Sequence, residues 1–210
     1  MKINYFFFIV FLVSYQAFSQ EIYFKTGKNF TKYDFKDSSG QSNSYLQSGV
    51  GNFFEIGISN PLRNKFSYAI GFSLDDYNAT GDYSNISYRW DTKYLGINSE
   101  LNYSVLPSSI FSNNNINFFV KTGLKGSTII YGKQGIDGVY YDLVKHKEFS
   151  GLVLVPHIGF LAKYSISSFG FLSVGYSYSK SLYNSNVNGE KLSFETNHIQ
   201  LGVHFNINEK

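Results

Sequence analysis

The side chains best suited to chemistry in this sequence are its four histidines, His146, His157, His198 and His204. A histidine activates a serine nucleophile only when the two lie within hydrogen-bonding reach, and a carboxylate commonly orients the histidine. None of the four has an obvious partner of this kind at a matching position, and the chain has no cysteine. The sequence therefore predicts a protein that is not an enzyme and has no catalytic residues.

The residue spacing gives no better support for metal binding. The four histidines are scattered and form no dense ligand cluster. Asp75, Asp76 and Asp137 lack the further oxygen ligands that a Ca²⁺ site requires, and we interpret them as turn residues. We expect neither a metal nor another cofactor.

Charged residues of both signs occur at alternate positions within segments that are otherwise apolar. They are Lys25, Glu55, Glu100, Lys121 and Lys163. If these segments are strands of a narrow barrel, the charged side chains share its interior, which eight strands leave only just filled by side chains. We predict that they form a structural network of ion pairs and water. An ion-conducting lumen is the alternative.

The segments that carry these residues alternate apolar and polar positions with the period of two that is typical of β-strands. In the last segment Ile199 and Leu201 alternate with Gln200 and Gly202. The predicted strands are 21–31, 49–59, 65–75, 93–105, 116–127, 152–164, 168–178 and 197–207. The length of each segment is close to that of a tilted strand that crosses a membrane, which has about 9 to 11 residues. Pro156 cannot donate to a ladder, so we predict a bulge there or a later strand start.

Composition and hydropathy favour a membrane-spanning barrel. Aromatic residues make up 19% of the chain, with 19 Gly and only 3 Pro, which suits a barrel with aromatic girdles at the two membrane interfaces. After the N-terminal segment no apolar run is long enough for a helical span, and strands satisfy their backbones in lipid only as a closed barrel. We predict an all-β, eight-stranded antiparallel up-and-down transmembrane β-barrel.

The N-terminal segment has the pattern of a secretory signal peptide. Lys2 precedes a short apolar run, and the small residues Ala17 and Ser19 precede the predicted cleavage site. The expected boundaries are therefore 1–19 for the signal peptide and 20–210 for the barrel domain. The formal net charge is +3, of which Lys2 contributes one, and this gives no reason to expect a nucleic-acid partner.

The connections between the predicted strands alternate between short and long. Short ones fall at 60–64, 106–115 and 165–167, and long ones at 32–48, 76–92, 128–151 and 179–196. In an up-and-down outer-membrane barrel this places the short turns on the periplasmic rim and all four long loops on the extracellular rim.

Two of the long loops carry turn signals. Asp137–Gly138 and Asn188–Gly189 favour type I′ turns and therefore hairpin extensions of the strands. Tyr140, Tyr141 and Tyr183 flank them, and tyrosine in loops rich in Ser and Asn suits a recognition surface. We predict that these loops bind an extracellular ligand; loops that only cover the barrel rim are the alternative.

Four features of the sequence occur together: the signal peptide, a first strand at Glu21–Phe30, the aromatic and glycine alternation of Val174–Tyr176, and an amphipathic last strand. This combination resembles the outer-membrane β-barrel domain family of diderm bacteria, with its OmpA/OmpX-type barrels. The resemblance implies a cell outer membrane location, contact with outer-membrane lipid, and insertion by the barrel-assembly machinery. Phe205 is followed by residues 206–210, so the terminal aromatic signal that this machinery reads is displaced.

For such a barrel we expect a role in envelope structure or in surface interaction through the four long loops. The alternative is a soluble periplasmic lipocalin-like barrel that binds an apolar ligand, with the apolar strand faces pointing inward. Its Gly-, Ser- and Asn-rich faces would then meet water and make a poor surface, whereas they suit a lumen. The sequence therefore favours the membrane barrel.

Overall fold

The structure is a computed structural model, and it describes residues 21–42, 46–63, 65–83, 86–105, 115–167, 170–185 and 188–207. The predicted signal peptide, residues 1–19, lies outside the described residues, so the boundary with the barrel domain at residue 20 stays a prediction. Within the described part of the chain, no helix is long and apolar enough to span a bilayer.

The alternating segments form extended strands over most of the described chain. In chain order they are β1 (Glu21–Lys36), β2 (Leu46–Arg63), β3 (Phe66–Asp76), β4 (Ala79–Tyr83), β5 (Ile86–Ser104), β6 (Ile116–Ile136), β7 (Val139–Asp142), β8 (Val153–Ser167), β9 (Gly170–Lys180), β10 (Asn184–Ser185) and β11 (Lys191–Asn206). β4 continues β3 beyond a break at Tyr77 and Asn78, while β7 and β10 are short extensions that pair with β6 and β11.

Eight of these strands close into an antiparallel barrel in the order β1, β2, β3, β5, β6, β8, β9, β11. Closure comes from β1, which pairs with β2 on one side and with β11 on the other. The β1–β11 ladder runs from Glu21 opposite Asn206 to Lys36 opposite Lys191. The predicted eight-stranded antiparallel up-and-down barrel is therefore confirmed. The hairpin extensions lie at one end, called here the long-loop end. The opposite end, where β1 begins and β11 ends, is called the short-turn end. The predicted short connection at 106–115 lies outside the described residues except for residue 115.

The strands extend further toward the long-loop end than predicted. β2 begins at Leu46, β5 at Ile86 and β11 at Lys191, and β6 continues to Ile136. Outside a membrane both faces of a hairpin can be polar or aromatic, so the period-two signal fades while the ladder of hydrogen bonds continues. Much of the predicted long-loop sequence is therefore ordered strand.

The two predicted type I′ turns have different outcomes. Asp137 and Gly138 both have positive φ, 47° and 82°, and connect Ile136 to Val139 in a two-residue hairpin, as the prediction requires. At the second site only Gly189 has a positive φ, and β10 meets β11 further back, at Ser185 opposite Lys191. The hairpin extension is present there, but the type I′ turn is wrong.

The prediction of a bulge or a late strand start at Pro156 is wrong. β8 begins at Val153, and Pro156 lies in regular register opposite Leu124 of β6. The β8–β9 ladder begins only at His157, so the proline lies one residue outside that ladder, where a missing N–H costs no ladder bond.

The strand alternation places apolar side chains outside and polar side chains inside. Phe72 is 64% exposed and Leu201 is 60% exposed, whereas Lys25 and Glu100 are buried. A lipocalin-like barrel requires the opposite arrangement, so that alternative is not favoured. Exposed Phe, Ile and Leu in this number are costly in water and favourable in lipid.

Close packing in the lumen depends on two glycines that face one tyrosine. Gly57 and Gly71 lie opposite each other on β2 and β3, and Tyr23 of β1 lies opposite Gly57. A Cβ atom on Gly57 or Gly71 would lie 2.5 Å or 2.6 Å from the Tyr23 hydroxyl oxygen. Glycine at these positions therefore makes room for the phenol ring against the barrel wall.

Candidate functional site

The barrel interior contains a network of buried ion pairs near its middle. Lys25 Nζ lies 3.2 Å from Glu55 Oε1 and 3.0 Å from Glu100 Oε2. Lys121 Nζ lies 3.4 Å from Glu100 Oε1 and donates to Gln200 Oε1 at 2.9 Å. We call Lys25, Glu55, Asn98, Glu100, Lys121 and Gln200 the lumen network.

Strand register explains why these side chains meet. Lys25 and Glu55 are direct cross-strand partners on β1 and β2, and Asn98 and Glu100 are two residues apart on β5, so they share a face. Asn98 Nδ2 donates to Glu55 at 2.9 Å and to Glu100 at 3.0 Å. Two carboxylates thus share two ammonium groups and an amide, which balances the charge that burial in a lumen requires.

Lys163 lies apart from the other four residues predicted for this network. Its Nζ pairs with Glu21 Oε1 at 2.6 Å, close to the short-turn end, where Lys163 is opposite Asn117 on β6. Alternation indicated correctly that Lys163 faces inward, but it carries no information on height along the barrel. Its partner Glu21 was missed because it is the first residue of β1.

A second buried ion pair, between Asp75 and Lys125, was not predicted from the sequence. Asp75 accepts two hydrogen bonds from Lys125 Nζ, at 2.8 and 2.7 Å. The interpretation of Asp75 and Asp76 as turn residues is wrong, because both belong to β3. The signal that could have revealed Asp75 is its position two residues beyond Ser73, on the inward face of the strand.

Near the short-turn end three side chains have the hydrogen-bond order of a serine, histidine and carboxylate triad. Ser173 Oγ lies 2.8 Å from His204 Nε2, and His204 Nδ1 lies 2.6 Å from Glu21 Oε1. Both contacts are diagonal between strands, since Ser173 is opposite Gly202 and Tyr23 is opposite His204. Because alternation along a strand does not give diagonal contacts, these partners were not predicted from the sequence.

The environment of this triad is that of a packed interior. Ser173 is 6% exposed and His204 is 1% exposed. The Tyr23 ring lies 5.7 Å from the His204 ring, and Glu21 is shared with Lys163. The Ser173 hydroxyl is buried and has the base His204 beside it, but both side chains lie in an enclosed polar network.

Above the lumen network, toward the long-loop end, the barrel is filled by aromatic side chains. We call Tyr33, Tyr77, Trp90, Tyr94, Phe149 and Phe194 the aromatic plug; all are buried in one cluster. Ring centroids are 4.4 Å apart for Tyr77 and Phe194 and 5.1 Å apart for Trp90 and Phe149. Phe149 belongs to the connection between β7 and β8, so part of the third long loop is folded into the barrel mouth.

The space between the aromatic plug and the lumen network is small. A cavity of about 20 Å³ is lined by Tyr77 from above and by Glu100 and His157 from below. This volume holds about one water molecule. The arrangement favours the predicted structural network over a conducting lumen.

The three tyrosines predicted for recognition occupy two separate places. Tyr140 and Tyr141 are neighbours on β7 and are both exposed, and Lys133 Nζ lies 5.8 Å from the Tyr140 ring. Tyr183 instead donates its hydroxyl to Asp34 Oδ2 at 2.7 Å, with the Lys36 ammonium 5.1 Å from its ring. The three tyrosines therefore belong to two surfaces, one beside β6 and one beside β1.

The described residues contain no group of three or more His, Asp or Glu side chains that could hold a metal ion.

Outside the membrane region, one loop carboxylate, that of Asp37, has a shifted pKa. Ser39 Oγ and the Gln41 backbone N–H donate to Asp37 at 2.7 and 2.9 Å, and these bonds hold the pKa of Asp37 below its usual value.

Comparison with known proteins agrees with this architecture. No family model matches the chain. The chain is 40% identical over 75 residues to the outer membrane usher protein FaeD of Escherichia coli, a match that spans 36% of this chain and only 9% of the usher. The crystal structure of Neisserial surface protein A is similar over 88% of this chain and 96% of that chain, with 16% identity and a TM-score of 0.52. The N-terminal β-barrel domain of Pseudomonas aeruginosa OprF is similar over 89% of this chain and 97% of its own, with 12% identity and a TM-score of 0.44.

The likeness to Neisserial surface protein A concerns the fold, and together with the closed eight-stranded ring it shows that the chain has the fold of a small outer-membrane β-barrel. Its own surface supports the same conclusion, because the ring is closed and its exterior is apolar. The predicted location in the outer membrane, in contact with lipid, agrees with both observations.

Proposed function

We propose that this protein is a non-enzymatic outer-membrane barrel that binds a partner outside the cell through its long-loop hairpins. The observation that carries the proposal is the β6–β7 hairpin, which continues the barrel ladder and displays Tyr140, 68% exposed, and Tyr141 on ordered strand. Exposed aromatic residues on a rigid element offer contact area with little entropy left to lose on binding.

The aromatic plug supports this role because it anchors the bases of the hairpins. Tyr33 of β1 and Trp90 of β5 pack with Phe149 of the third long loop, and Phe194 of β11 packs with Tyr33. The hairpins therefore leave a packed core rather than a flexible rim, and a site on them is held in a fixed geometry.

Adhesion of bacteria that display the protein tests this proposal. Fluorescent cells would be applied to a printed panel of immobilised glycans and proteins, with cells lacking the protein as background. We expect adhesion to at least one spot and its loss in the Tyr140→Ser, Tyr141→Ser double variant. Lys145→Ala, an exposed change in the same loop, is the matched control and should adhere normally. Equal adhesion of the double variant and the parent would contradict the proposal.

A role in envelope structure is the second candidate, and the filled lumen favours it because a closed, rigid barrel adds no leak to the membrane. Deletion of the protein would then increase uptake of a detergent or a dye. The double tyrosine variant should restore the barrier if the role is structural, although it does not restore adhesion. The two functions are therefore separable with the same pair of strains.

The non-enzymatic part of the proposal is tested at Ser173. Ser173 and His204 are enclosed in the lumen, so we expect no labelling by a fluorophosphonate probe in folded barrel. Labelling that is lost in Ser173→Ala would show an accessible nucleophile and overturn this part of the proposal.

We further infer that the barrel-assembly machinery inserts the chain by reading the last strand at Phe205, which points outward from β11. Phe205→Ala should lower the fraction of protein recovered in the outer membrane, while Phe205→Tyr should not. Equal recovery of all three would contradict this assignment.

A further inference from the structure

Two hairpins at the long-loop end form a sheet whose two faces differ. The sheet consists of β4, β5, β6 and β7, which pair in that order. Residues directly opposite each other share a face, and one such row contains Ala79, Trp90, Gln134 and Tyr141. Ala79 and Trp90 are buried in the cluster of the aromatic plug. Tyr141 therefore belongs to the face that turns toward the barrel mouth.

Tyr140 belongs to the opposite, outer face of this sheet. Its cross-strand row contains Thr80, Arg89 and Gly135. A Cβ atom on Gly135 would lie 3.3 and 3.6 Å from two ring carbons of Tyr140, so the ring covers the backbone of the glycine. Tyr140 is still largely exposed. One side of the ring thus rests on the sheet, and the other side is open to solvent.

A groove of about 590 Å³ crosses this outer face. It is lined by Tyr140 and Asp137 of the β6–β7 hairpin and by Asp82, Arg89 and Asp91 of the β4–β5 hairpin, among others. Its volume is typical of a site for a small ligand, about 300 to 1,000 Å³. Among the described residues that line it there is no Leu, Ile, Val, Phe or Met. The groove therefore offers no apolar pocket for an anchor residue of a protein partner or for a lipophilic ligand.

The polar side chains of the groove are held in place and keep atoms available for a ligand. Arg89 Nε lies 2.7 and 2.8 Å from the two carboxylate oxygens of Asp91, which leaves the terminal nitrogens of the guanidinium as donors. Ser87 Oγ donates to Asp82 Oδ1 at 2.6 Å, which leaves Oδ2 as an acceptor. A guanidinium and a carboxylate each have two atoms that can hydrogen-bond to neighbouring hydroxyl groups.

The charge of the groove is negative. The lining contains three carboxylates and one guanidinium, those of Asp82, Asp91, Asp137 and Arg89. Beside the groove, Lys133 lies opposite both Asp91 and Asp142, with its Nζ 5.8 Å from the Tyr140 ring. With Lys133 and Asp142 included, four carboxylates stand against two cations. This balance disfavours phosphorylated, sulfated and other anionic ligands.

We propose that the groove binds a neutral oligosaccharide outside the cell, with one sugar ring stacked on Tyr140 and its hydroxyl groups bound by Arg89 and Asp82. A sugar ring has an apolar face of C–H groups and a rim of hydroxyl groups, which match the open aromatic face and the planar polar groups around it. The negative charge of the groove selects a neutral sugar. This inference rests on the proposed adhesion and names the class of its ligand; it assigns binding to Tyr140 and not to Tyr141.

The test is binding of the full chain, refolded in nanodiscs, to an array of neutral, sialylated and sulfated oligosaccharides printed beside proteins. We expect binding to at least one neutral oligosaccharide, and this binding should persist in high salt. Titration calorimetry with that oligosaccharide then compares variants. Its affinity should fall about tenfold or more in Tyr140→Ser and in Arg89→Gln. Tyr140→Phe keeps the ring and should bind like the parent, as should the matched control Tyr141→Ser.

Three results would overturn the inference. They are binding confined to proteins or to sialylated and sulfated oligosaccharides, equal losses of affinity in Tyr140→Ser and Tyr141→Ser, and an unchanged affinity in Arg89→Gln. The first result leaves the proposed adhesion standing with another ligand, whereas no binding to any spot contradicts both proposals. Faster migration of each unboiled variant on a denaturing gel, with unchanged Trp90 fluorescence, verifies that barrel and hairpins are folded, so a loss of affinity cannot come from misfolding.

Discussion

Lys25 of β1 and Glu100 of β5 meet across the barrel lumen, with Nζ 3.0 Å from Oε2. Two strands, β2 and β3, separate β1 from β5 in the ring, so this contact does not follow from backbone pairing. It links opposite walls through side chains alone, and both side chains are buried. Loss of either partner leaves a buried charge without compensation.

Glu100→Gln should therefore destabilise the barrel strongly. The substitution leaves Lys25 and Lys121 with fewer negative partners in a buried site, for which we expect a loss of about 3 to 5 kcal/mol in the free energy of unfolding. Urea unfolding of the barrel in phosphatidylcholine vesicles measures it. Asp91→Asn is the control, because its pair with Arg89 is exposed and should contribute less than about 1 kcal/mol. Similar losses for the two variants would argue against the lumen network as a stabilising element.

Removing one ring of the aromatic plug should loosen the long-loop end. Phe194 is buried against Tyr77, Tyr33 and Tyr94, and Phe194→Ala should cost about 3 to 5 kcal/mol because a cavity remains. The fluorescence of Trp90, the only tryptophan in the chain, should also shift to the red as water enters. Tyr141→Ala, on an exposed strand, should leave both readouts unchanged. An unshifted Trp90 spectrum in Phe194→Ala would show that the plug does not depend on this ring.

Gly71→Ala should destabilise the barrel through its contact with Tyr23. The new methyl would lie 2.6 Å from the Tyr23 hydroxyl oxygen, and overpacking of this kind costs about 1 to 3 kcal/mol. Tyr23→Phe removes that oxygen, so the double variant should lose less than the sum of the two single variants. Gly126→Ala, whose nearest neighbour is 3.5 Å away, is the control. Additive losses in the double-mutant cycle would show that the hydroxyl is not the source of the strain.

The carboxylate of Asp37 provides a test of the first long loop by titration. Its pKa is lowered by hydrogen bonds from Ser39 and from the Gln41 backbone. A lowered pKa means that the folded loop stabilises the ionised form of Asp37. The contribution of Asp37 to loop stability is therefore present above its ordinary pKa and is lost as the pH falls through the lowered pKa. NMR titration of the side-chain carboxyl carbon should show this depression, and Ser39→Ala should raise the pKa. An unchanged pKa in Ser39→Ala would contradict the loop geometry.

The sequence by itself determined the class of fold. Period-two alternation in segments such as Ile199–Gly202, with short and long connections in turn, defines strand faces and chain direction through local physics. The Asp137–Gly138 turn was predictable for the same reason, since positive φ at both positions is a local preference. The inward direction of Lys25, Glu55, Glu100 and Lys121 also follows from alternation alone.

Only the tertiary structure decided which inward side chains meet. In a barrel with tilted strands, the height of a side chain along the barrel axis depends on the register of every strand pair. The register places Lys163 away from Glu100 and beside Glu21. The same cause hid the Ser173, His204 and Glu21 contacts, which are diagonal between strands, and the pairing of Asp75 with Lys125. The aromatic plug could not be predicted either, because Phe149 enters the mouth from a loop, where side chains follow no strand period and burial depends on the walls that surround them.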